Sequence, residues 1–383
     1  MMRVVYDASC KTSNGRSLND ILCTGPALQN DIGGVILNWR LHRYVFVADI
    51  TKMYRCIDMH EEDAQYQRIF WRDEKGLIKI YFLTTIASDE RERYPLAEHV
   101  LKKEIYVDDV QTGHETIDGA LKIRNDVIAA LQSAGMELKK WASNHPDILE
   151  SIPTTDLSNS SIFEIDNKDS IKTLWLYWHP NKDGFGFNLK FSLNPIFTKR
   201  SILSTVARLF DPLGYLAPVI IAAKILLKEV WSFRIERKDE PPASLDWDDP
   251  LPDKLAERWR QLIQELPDSE EIHIPRWLGF DLRHVSTLQL HMFCDGSSMA
   301  ACAYLRASCT DGSVQVNLLA ARNRVTPVKP LTLPRVELSG ALLCTQLADW
   351  IVNQLQASHH TISVHYWSDA TMVLYCISGD PRR

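Results

Sequence analysis

Two adjacent carboxylates lie inside an apolar, β-prone stretch, Tyr106-Val107-Asp108-Asp109-Val110. Successive side chains of a strand point to opposite faces, so neighbouring aspartates can approach one cation only if the backbone turns between them. The pattern therefore predicts the tip of a β-hairpin, and clustered carboxylate oxygens suit Mg²⁺. An exposed aspartate pair that caps an ordinary turn is the alternative that these few residues leave open.

A third acid ends the apolar run at 44–49, Tyr-Val-Phe-Val-Ala-Asp, which has the pattern of a buried strand. Asp49 is therefore available to the same site as Asp108 and Asp109. Two cations about 4 Å apart, held by such carboxylates, stabilise the attacking and leaving oxygens in phosphoryl transfer. This chemistry explains why clustered acids are informative.

The composition is that of a large globular chain that is not a polycation. With 383 residues and 45% hydrophobic content, the chain can bury two or three cores. The formal charge of −6 disfavours a protein that simply coats nucleic acid. Nucleic-acid binding would have to rest on local basic clusters, for which the candidates are Lys139 with Lys140, Lys199 with Arg200, and Arg322 with Arg324.

Cysteine spacing and hydropathy indicate an intracellular, cytoplasmic protein. The 8 cysteines form no C-x-x-C pair and have no histidine partners at zinc spacing, so reduced and mostly buried thiols are expected. No apolar segment follows Met1, and the most apolar stretch, 216–227, contains Pro218 and Lys224. We therefore expect neither a signal peptide nor a membrane span.

Periodicity predicts mixed secondary structure in the first half and a helical middle. A helix at 117–131 precedes Gly135, a typical stop, and a strand follows at 136–141. The polar run 154–161 reads as a loop, and 174–178 with 185–187 reads as a hairpin. Residues 201–233 are helical with breaks at 211–212 and 218, and a further amphipathic helix spans 255–266.

The last section carries a second set of acids at the ends of predicted elements. Strands at 288–295 and 362–369 each end in an aspartate, Asp295 and Asp369, and residues 300–305 can pair with the first of them. A helix opens at 334–338 and places Glu337 in its first turn. The apolar face predicted for this helix consists of Leu338, Ala341, Leu342 and Leu347.

The first acid-bearing segments resemble the palm of a reverse transcriptase, specifically that of Bel/Pao-class long-terminal-repeat retrotransposons. The segment Ile-Thr-Lys-Met-Tyr at 50–54 contributes to this resemblance, as does Phe-Asp-Pro-Leu-Gly-Tyr-Leu-Ala-Pro at 210–218. Shorter matches lie at 3–9, 17–20, 25–28 and 198–200. The order strand-Asp, helix-Glu, strand-Asp in the last section resembles ribonuclease H.

These resemblances imply an α+β fold with three parts. Residues 1–153 would be partial reverse-transcriptase fingers and palm. Residues 154–282 would be a hairpin with a helical thumb or connection. Residues 283–383 would be a ribonuclease H-like α/β domain that is truncated at its C-terminal end. The expected partners are an RNA template, a DNA primer, an RNA:DNA hybrid and deoxynucleotide triphosphates.

The resemblance also assigns roles to individual residues. In the palm, Asp49, Asp108 and Asp109 would be catalytic and would hold Mg²⁺ or Mn²⁺. Arg3 would contact the triphosphate, since guanidinium matches phosphate geometry, and Tyr54 would reject ribonucleotides. A basic residue near the site corresponds to Lys139 or Lys140, and the sequence does not distinguish them.

In the ribonuclease H-like part, the acids match metal ligands residue by residue. Asp295, Glu337 and Asp369 would hold metals that activate water against the RNA strand of a hybrid. An aspartic peptidase is excluded, because such an enzyme needs Asp-Thr-Gly or Asp-Ser-Gly. This chain has Asp-Gly-Ser at 295–297 and 311–313 instead.

The sequence also departs from the family pattern. A segment that includes part of a palm helix is missing between Thr85 and Ile86, and the chain ends soon after Asp369. Two functions are therefore weighed from the sequence. One is an active polymerase with ribonuclease H; the other is a catalytically impaired remnant that binds nucleic acid or another protein.

Overall fold

The computed structural model describes most of the chain. The described residues are 9–11, 13–17, 19–21, 29–51, 53, 91–158, 163–164, 176–187, 189, 196–207, 209, 211–237, 240–266, 272–296, 299–329, 331–355 and 361–379. Arg3, Tyr54 and the 85/86 junction lie outside them, as do residues 25–28. The expectations about those residues stay predictions.

The first unit is a four-stranded antiparallel sheet with helices on both faces. Its strand order is β2-β3-β1-β4. On one face, Phe46, Ala48 and Val110 pack with the longest helix of the unit, and on the other Val45 and Val47 pack with the first helix. The elements are α1 (Ile32–Trp39), β1 (Tyr44–Ile50), α2 (Pro95–Lys103), β2 (Ile105–Tyr106), β3 (Asp109–His114), α3 (Ile117–Ser133) and β4 (Leu138–Ser143).

Sequence patterns located β1, α3 and β4 to within a few residues. The strand at 44–49 and the helix at 117–131 are confirmed as β1 and α3. The strand predicted at 136–141 begins two positions later, at Leu138. Gly135 ends α3 with a φ of +72°, a backbone conformation that glycine adopts without strain. Within the stretch predicted as a loop at 154–161, Thr154–Asp156 form a short 3₁₀ helix.

The middle of the chain adds a small sheet and a helical layer. Antiparallel strands pair in the order β10-β7-β6-β5, and the helices bury a separate core that includes Ile202, Val206, Leu226, Val230 and Trp259. The elements are β5 (Phe163–Glu164), β6 (Leu176–His179), β7 (Gly184–Phe187), α4 (Lys199–Ala207), α5 (Ala217–Ser232), β8 (Arg234–Arg237), β9 (Glu240–Ser244), α6 (Asp253–Gln264) and β10 (Ile274–Pro275).

In this middle part, the sequence predicted a hairpin and a helix break at Pro218. The hairpin is confirmed as β6 and β7. The break expected at Pro218 is wrong, because Pro218 lies in the first turn of α5. A proline there removes no helical hydrogen bond, since the first N–H groups of a helix have no partner within it.

The last unit is a four-stranded sheet in the order β13-β12-β11-β14, with one long helix packed on it. Strands β11, β12 and β13 are antiparallel neighbours, whereas β14 runs parallel to β11. The strands at 288–295 and 362–369 and the pairing of 300–305 are thereby confirmed. The elements are β11 (Val285–Asp295), β12 (Ala300–Cys309), β13 (Val314–Asn323), α7 (Leu333–Leu355), β14 (Ile362–Ser368) and α8 (Thr371–Ser378).

The predicted apolar face of α7 is confirmed at Leu347 and wrong at Leu338 and Leu342. Leu343, Leu347 and Ile351 are buried against the sheet, whereas Leu342 is 57% exposed and Leu338 is 36% exposed. The helix also starts at Leu333, so Glu337 lies just past its first turn. The sequence offers leucines on two sides of the helix, and only packing against β11 and β12 selects one of them.

A buried arginine joins the first unit to the small sheet. The Arg276 side chain is fully buried, and its Nε and Nη2 donate to the two carboxylate oxygens of Asp183 at 2.6 and 2.8 Å. The guanidinium also donates to the backbone carbonyls of Trp39, His42 and Arg43. One side chain therefore fastens the end of α1 and the start of β1 to the β6–β7 turn.

Arg40 makes a second connection next to it. This buried side chain donates to the carbonyl of Arg276 at 3.0 Å, to that of Leu318 at 2.8 Å and to the hydroxyl of Tyr215. Gly214 lies against β13, where an added Cβ would be 1.8 Å from the carbonyl oxygen of Ala321. The segment 211–218, singled out by its sequence, thus links the first unit to the last sheet.

The remaining sequence expectations concern membranes and thiols. Across the part of the chain that is described, no helix is both long and apolar enough to cross a membrane. The described cysteines are free thiols, but the expectation that most of them are buried is wrong. Cys344 is buried, but Cys10 and Cys376 are exposed.

Candidate metal centre

The predicted hairpin tip is present between β2 and β3. Tyr106 pairs with Asp109, which leaves Val107 and Asp108 as a two-residue turn. Val107 has a φ of +55°, and a positive φ at the first central position is the pattern of a type II′ turn. Such a φ is an outlier for a β-branched residue and costs on the order of 1–3 kcal/mol. The backbone thus turns at the aspartate pair, as the sequence required.

Asp49 reaches the tip of this hairpin through strand pairing. In the antiparallel β1–β3 pair, Asp49 lies directly opposite Asp109. Carboxylate oxygens of Asp49, Asp108 and Asp109 all lie within 4.8 Å of one another. The three residues are 8%, 5% and 7% exposed, which is unusual for aspartates. This cluster could hold a metal ion, and the predicted meeting of distant acids is confirmed here.

The structure distinguishes the two lysines that the sequence left open. Lys140 Nζ donates to Asp49 Oδ2 at 3.1 Å. Lys139 is directed elsewhere, toward Asp156 at 3.4 Å. A register shift in the β1–β4 pair between Val47 and Asp49, and a φ of +57° at Lys140, accompany this arrangement. Bulges and positive φ values often occur beside active sites because they redirect a side chain.

The buried carboxylate of Glu104 lies beside the β2–β3 hairpin, and the sequence analysis did not identify it. Glu104 Oε1 lies 3.1 Å from His42 Nε2 and 3.5 Å from His99 Nε2, and the Thr112 hydroxyl donates to its other oxygen. Burial alone would raise the pKa of Glu104, but the hydrogen bonds with the two histidines outweigh it and hold the pKa well below its usual range. Its carbonyl also accepts from Gln111 N. No spacing in the sequence signals this group.

The second set of acids lies at one end of the last sheet. Asp295 is the last residue of β11 and Asp369 follows β14; because Cys294 and Ser368 are in register, the two aspartates lie at neighbouring strand ends. Glu337 comes close from α7, since an added Cβ on Gly296 would be 2.4 Å from its carboxyl carbon. Among the described residues, however, these three acids do not form a group with ligand atoms within 4.8 Å. The strand order brings the three acids to one end of the sheet, but their carboxylate oxygens do not gather closely enough to share one metal ion.

One predicted basic cluster serves the fold itself. Lys199 is buried, and its Nζ donates to the Leu245 carbonyl at 2.7 Å. Arg200 forms a two-pronged ion pair with Asp248 at 2.8 and 3.0 Å. Burial removes Lys199 from the candidates for nucleic-acid contact, whereas such a contact by Arg200 stays a prediction. Arg322, from another predicted cluster, lies over the Trp350 ring at 4.8 Å.

Comparison with known families identifies the second half of the chain. Residues 198–370 match the model of the Pao retrotransposon-like RNaseH-like domain. The chain carries a Pao retrotransposon RNaseH-like domain. This confirms the Bel/Pao resemblance that segment 210–218 suggested. The Pao-type match includes the helices α4 to α6 as well as the last sheet, while the boundaries at 153/154 and 282/283 stay predictions.

Solved structures extend the comparison to the rest of the fold. A foamy viral protease–reverse transcriptase in complex with double-stranded DNA matches with a TM-score of 0.50 at 14% identity, over 96% of this chain and 57% of that one. A foamy viral protease–reverse transcriptase with an RNA/DNA hybrid matches with a TM-score of 0.45 at 14% identity, over 94% and 45%. The first similarity shows that the mixed α/β fold of this chain resembles that of the foamy viral protease–reverse transcriptase. This chain thus spans about half the length of these proteins. No curated protein gave a significant match.

Proposed function

We propose that the chain is the polymerase and ribonuclease H part of a retroelement polyprotein, an RNA-directed DNA polymerase that acts by two-metal phosphoryl transfer. The observation that carries this proposal is the buried carboxylate cluster of Asp49, Asp108 and Asp109 at the tip of a hairpin. Charged side chains are rarely buried together unless they bind something of opposite charge.

The donor set of this cluster fits a hard divalent cation. All three side chains offer carboxylate oxygens, which suit Mg²⁺ or Mn²⁺ and not a thiophilic metal. When bound, such ions neutralise charge on the attacking and leaving oxygens of a phosphoryl transfer. Asp49, Asp108 and Asp109 would hold them, and the hairpin turn fixes where Asp108 lies relative to Asp49.

Lys140 supplies a positive charge at the rim of the cluster. Its ammonium lies on Asp49 Oδ2, while 66% of its side chain is exposed. It can therefore orient the Asp49 carboxylate and can also reach an approaching phosphate, because ammonium is a mobile point charge on a flexible stem. Arg3 and Tyr54 complete the proposed nucleotide site on the basis of resemblance. The proposed substrates are an RNA template, a DNA primer and deoxynucleotide triphosphates.

For the last sheet, we propose hydrolysis of the RNA strand of a hybrid by Asp295, Glu337 and Asp369. Two observations support this proposal: Asp295 and Asp369 lie at the ends of the neighbouring strands β11 and β14, and Glu337 lies close to Gly296. A hybrid would be recognised by backbone shape and 2′-hydroxyl groups. A second candidate function is a remnant in which this site no longer cleaves. The observation favouring it is that these acids stay farther apart than those of the palm.

Primer extension tests the polymerase proposal. With Mg²⁺ or Mn²⁺, the purified protein is expected to extend a DNA primer on an RNA template, and Asp108→Asn is expected to abolish extension. Asp118→Asn is a matched control, since Asp118 is an exposed aspartate in the same unit. Wild-type extension no greater than that of Asp108→Asn would reject the proposal.

Hybrid cleavage tests the second site independently. The expected result is release of RNA fragments from a labelled RNA:DNA hybrid, lost in Asp295→Asn and kept in Asp108→Asn. Primer extension without hybrid cleavage would be consistent with the polymerase proposal. It would support the alternative that the acids of the last sheet no longer cleave RNA.

A further inference from the structure

The hairpin that carries Asp108 and Asp109 has a short outer strand. In the described sheet, β2 is two residues long, lies at the edge, and is joined to β3 by two residue pairs. The strained φ of Val107 and the like charges of Asp49 and Asp109, which lie directly opposite each other, act against the hairpin. So short a pairing is marginal by itself. Side-chain contacts must therefore help to keep the turn in place.

Glu104, the residue before β2, connects this strand to three neighbouring elements. Its side chain is 5% exposed, and Oε1 lies 3.1 Å from His42 Nε2, just before β1, and 3.5 Å from His99 Nε2 of α2. The hydroxyl of Thr112 in β3 donates to the other carboxylate oxygen. The N–H of Gln111 donates to the Glu104 carbonyl at 2.9 Å. One residue thereby fastens the edge strand to a loop, a helix and a strand.

Charge strengthens these contacts. Burial favours the neutral form of Glu104, but the hydrogen bonds with the two histidines outweigh it and lower its pKa. The hydrogen bond with Glu104 raises the pKa of His99, against the effect of burial. The folded chain thus favours an ionised carboxylate beside a protonated imidazole, and such hydrogen bonds are roughly twice as strong as neutral ones. The other charged groups that act on the two histidines are Lys103, His114 and Glu115.

We propose that Glu104 is a positioning residue of the carboxylate cluster, which holds β2 through its two histidine partners so that the aspartate turn stays beside Asp49. Without this carboxylate the two-residue strand would fray, and Asp108 would lose its fixed place in the turn. The inference rests on the proposed function for the role of the three acids. The contacts of Glu104 themselves require no metal ion.

The histidine partner gives this role a pH signature. Protonated His99 strengthens the contact, so its contribution is fully present below about pH 6.5, the ordinary histidine pKa, and is lost as the pH rises through the raised pKa. Glu104 stays ionised over this range, because its pKa is lowered. Glu115 also titrates near neutral pH. Its effect is common to the wild type and a His99→Gln variant, so comparing the two proteins at each pH isolates His99.

Amide hydrogen exchange of the full chain without metal, followed by mass spectrometry, tests the inference. Glu104→Gln is expected to lower the protection of residues 105–111 about tenfold or more, the effect of losing hydrogen bonds to a charged group. Protection in β1 and α3 should stay as in the wild type. Glu98→Gln is the matched control, because this glutamate of α2 pairs with Lys102 at 2.8 Å. It should exchange as the wild type does.

A second variant keeps the test decisive where Glu104→Gln does not fold. The His99 side chain is 54% exposed, so His99→Gln leaves the core intact. Relative to the wild type, it should lower protection of 105–111 more at about pH 6 than at about pH 8, after correction for intrinsic exchange. Unchanged hairpin protection in Glu104→Gln, a loss shared equally by β1 and α3, or an equal effect of His99→Gln at both pH values would overturn the inference.

Mn²⁺ separates this inference from the proposed function. The ion should raise the protection of 105–111 in the wild type and restore part of it in Glu104→Gln, because it binds the ordered hairpin and not the frayed one. No rise in the wild type would count against the metal site. The exchange measured without metal would still decide the role of Glu104.

Discussion

Replacing Arg276 with methionine should destabilise the protein far more than the same change at Arg200. Both arginines form two-pronged pairs with an aspartate, Arg276 with Asp183 and Arg200 with Asp248. The Arg276 side chain is fully buried, whereas those of Arg200 and Asp248 are 63% and 72% exposed. The two variants therefore differ in burial and in the backbone carbonyls that accept hydrogen bonds from Arg276 alone.

The expected magnitude follows from what methionine leaves behind. Arg276→Met would remove the counter-charge of Asp183 and the donors to three backbone carbonyls. Breaking a buried ion pair costs roughly 3–5 kcal/mol. Trp178 Nε1 and Asn144 Nδ2 still donate to Asp183, which limits the loss to that range. Exposed pairs contribute little, so Arg200→Met should be near neutral.

Urea unfolding of the wild type and both variants, followed by tryptophan fluorescence and circular dichroism, measures the difference. An Asp183→Asn variant and the double variant complete a thermodynamic cycle, in which Arg276 and Asp183 should be strongly coupled. If Arg276→Met lowers the free energy of unfolding no more than Arg200→Met does, the buried arginine does not fasten the units together and the reasoning fails.

Three further perturbations have defined outcomes. Asp211 accepts from Tyr215 N at 2.9 Å and Leu216 N at 2.6 Å at the start of α5, so Asp211→Ala should cost about 1–2 kcal/mol in urea unfolding, with a smaller loss in Asp211→Asn. Burial, followed by the charge of Asp281, raises the pKa of Glu115 to about 7. The folded state then holds this proton more tightly than the unfolded state, so stability falls as the pH rises from about 4.5 to about 7. Glu115→Gln should raise the unfolding midpoint at about pH 8 and leave it unchanged at about pH 4, and an equal shift at both values would contradict the assignment. Asp109→Asn should stabilise the metal-free protein by about 0.2–1 kcal/mol, because it removes like charges directly opposite each other, and should abolish the rise in thermal midpoint that Mn²⁺ gives the wild type.

The sequence located the acids because strand ends are readable from local pattern. The apolar run before Asp49 and the doubled aspartate at 108–109 each mark the end of an element. Turn geometry was not readable to the same degree. Valine rarely adopts a positive φ, so the sequence did not predict the strained backbone at Val107. The surrounding structure holds Val107 in this conformation.

Features that depend on long-range packing were beyond the sequence. Lys139 and Lys140 are consecutive and chemically identical, and the strand register pairs Asp49 with Lys139. Lys140 nevertheless contacts Asp49, beside a register shift in the β1–β4 pair and with a positive φ of its own. In the same way, the buried Lys199 was interpreted as a surface charge, because its partner, the Leu245 carbonyl, lies 46 positions away. Tertiary contacts overrode local propensity in both cases.

One hydrophobic cluster runs from Ile36 and Trp39 through Phe185 to Leu290 and Leu347, without interruption between the parts of the chain. Nicking the backbone at a connecting loop would therefore not release two separate bodies. The fragments should co-elute under native conditions and come apart only in denaturant. Expressing either half alone would expose the hydrophobic surface that the other half buries, and exposed apolar patches of this kind promote aggregation. The two proposed activities are thus better separated by single side-chain changes than by truncation.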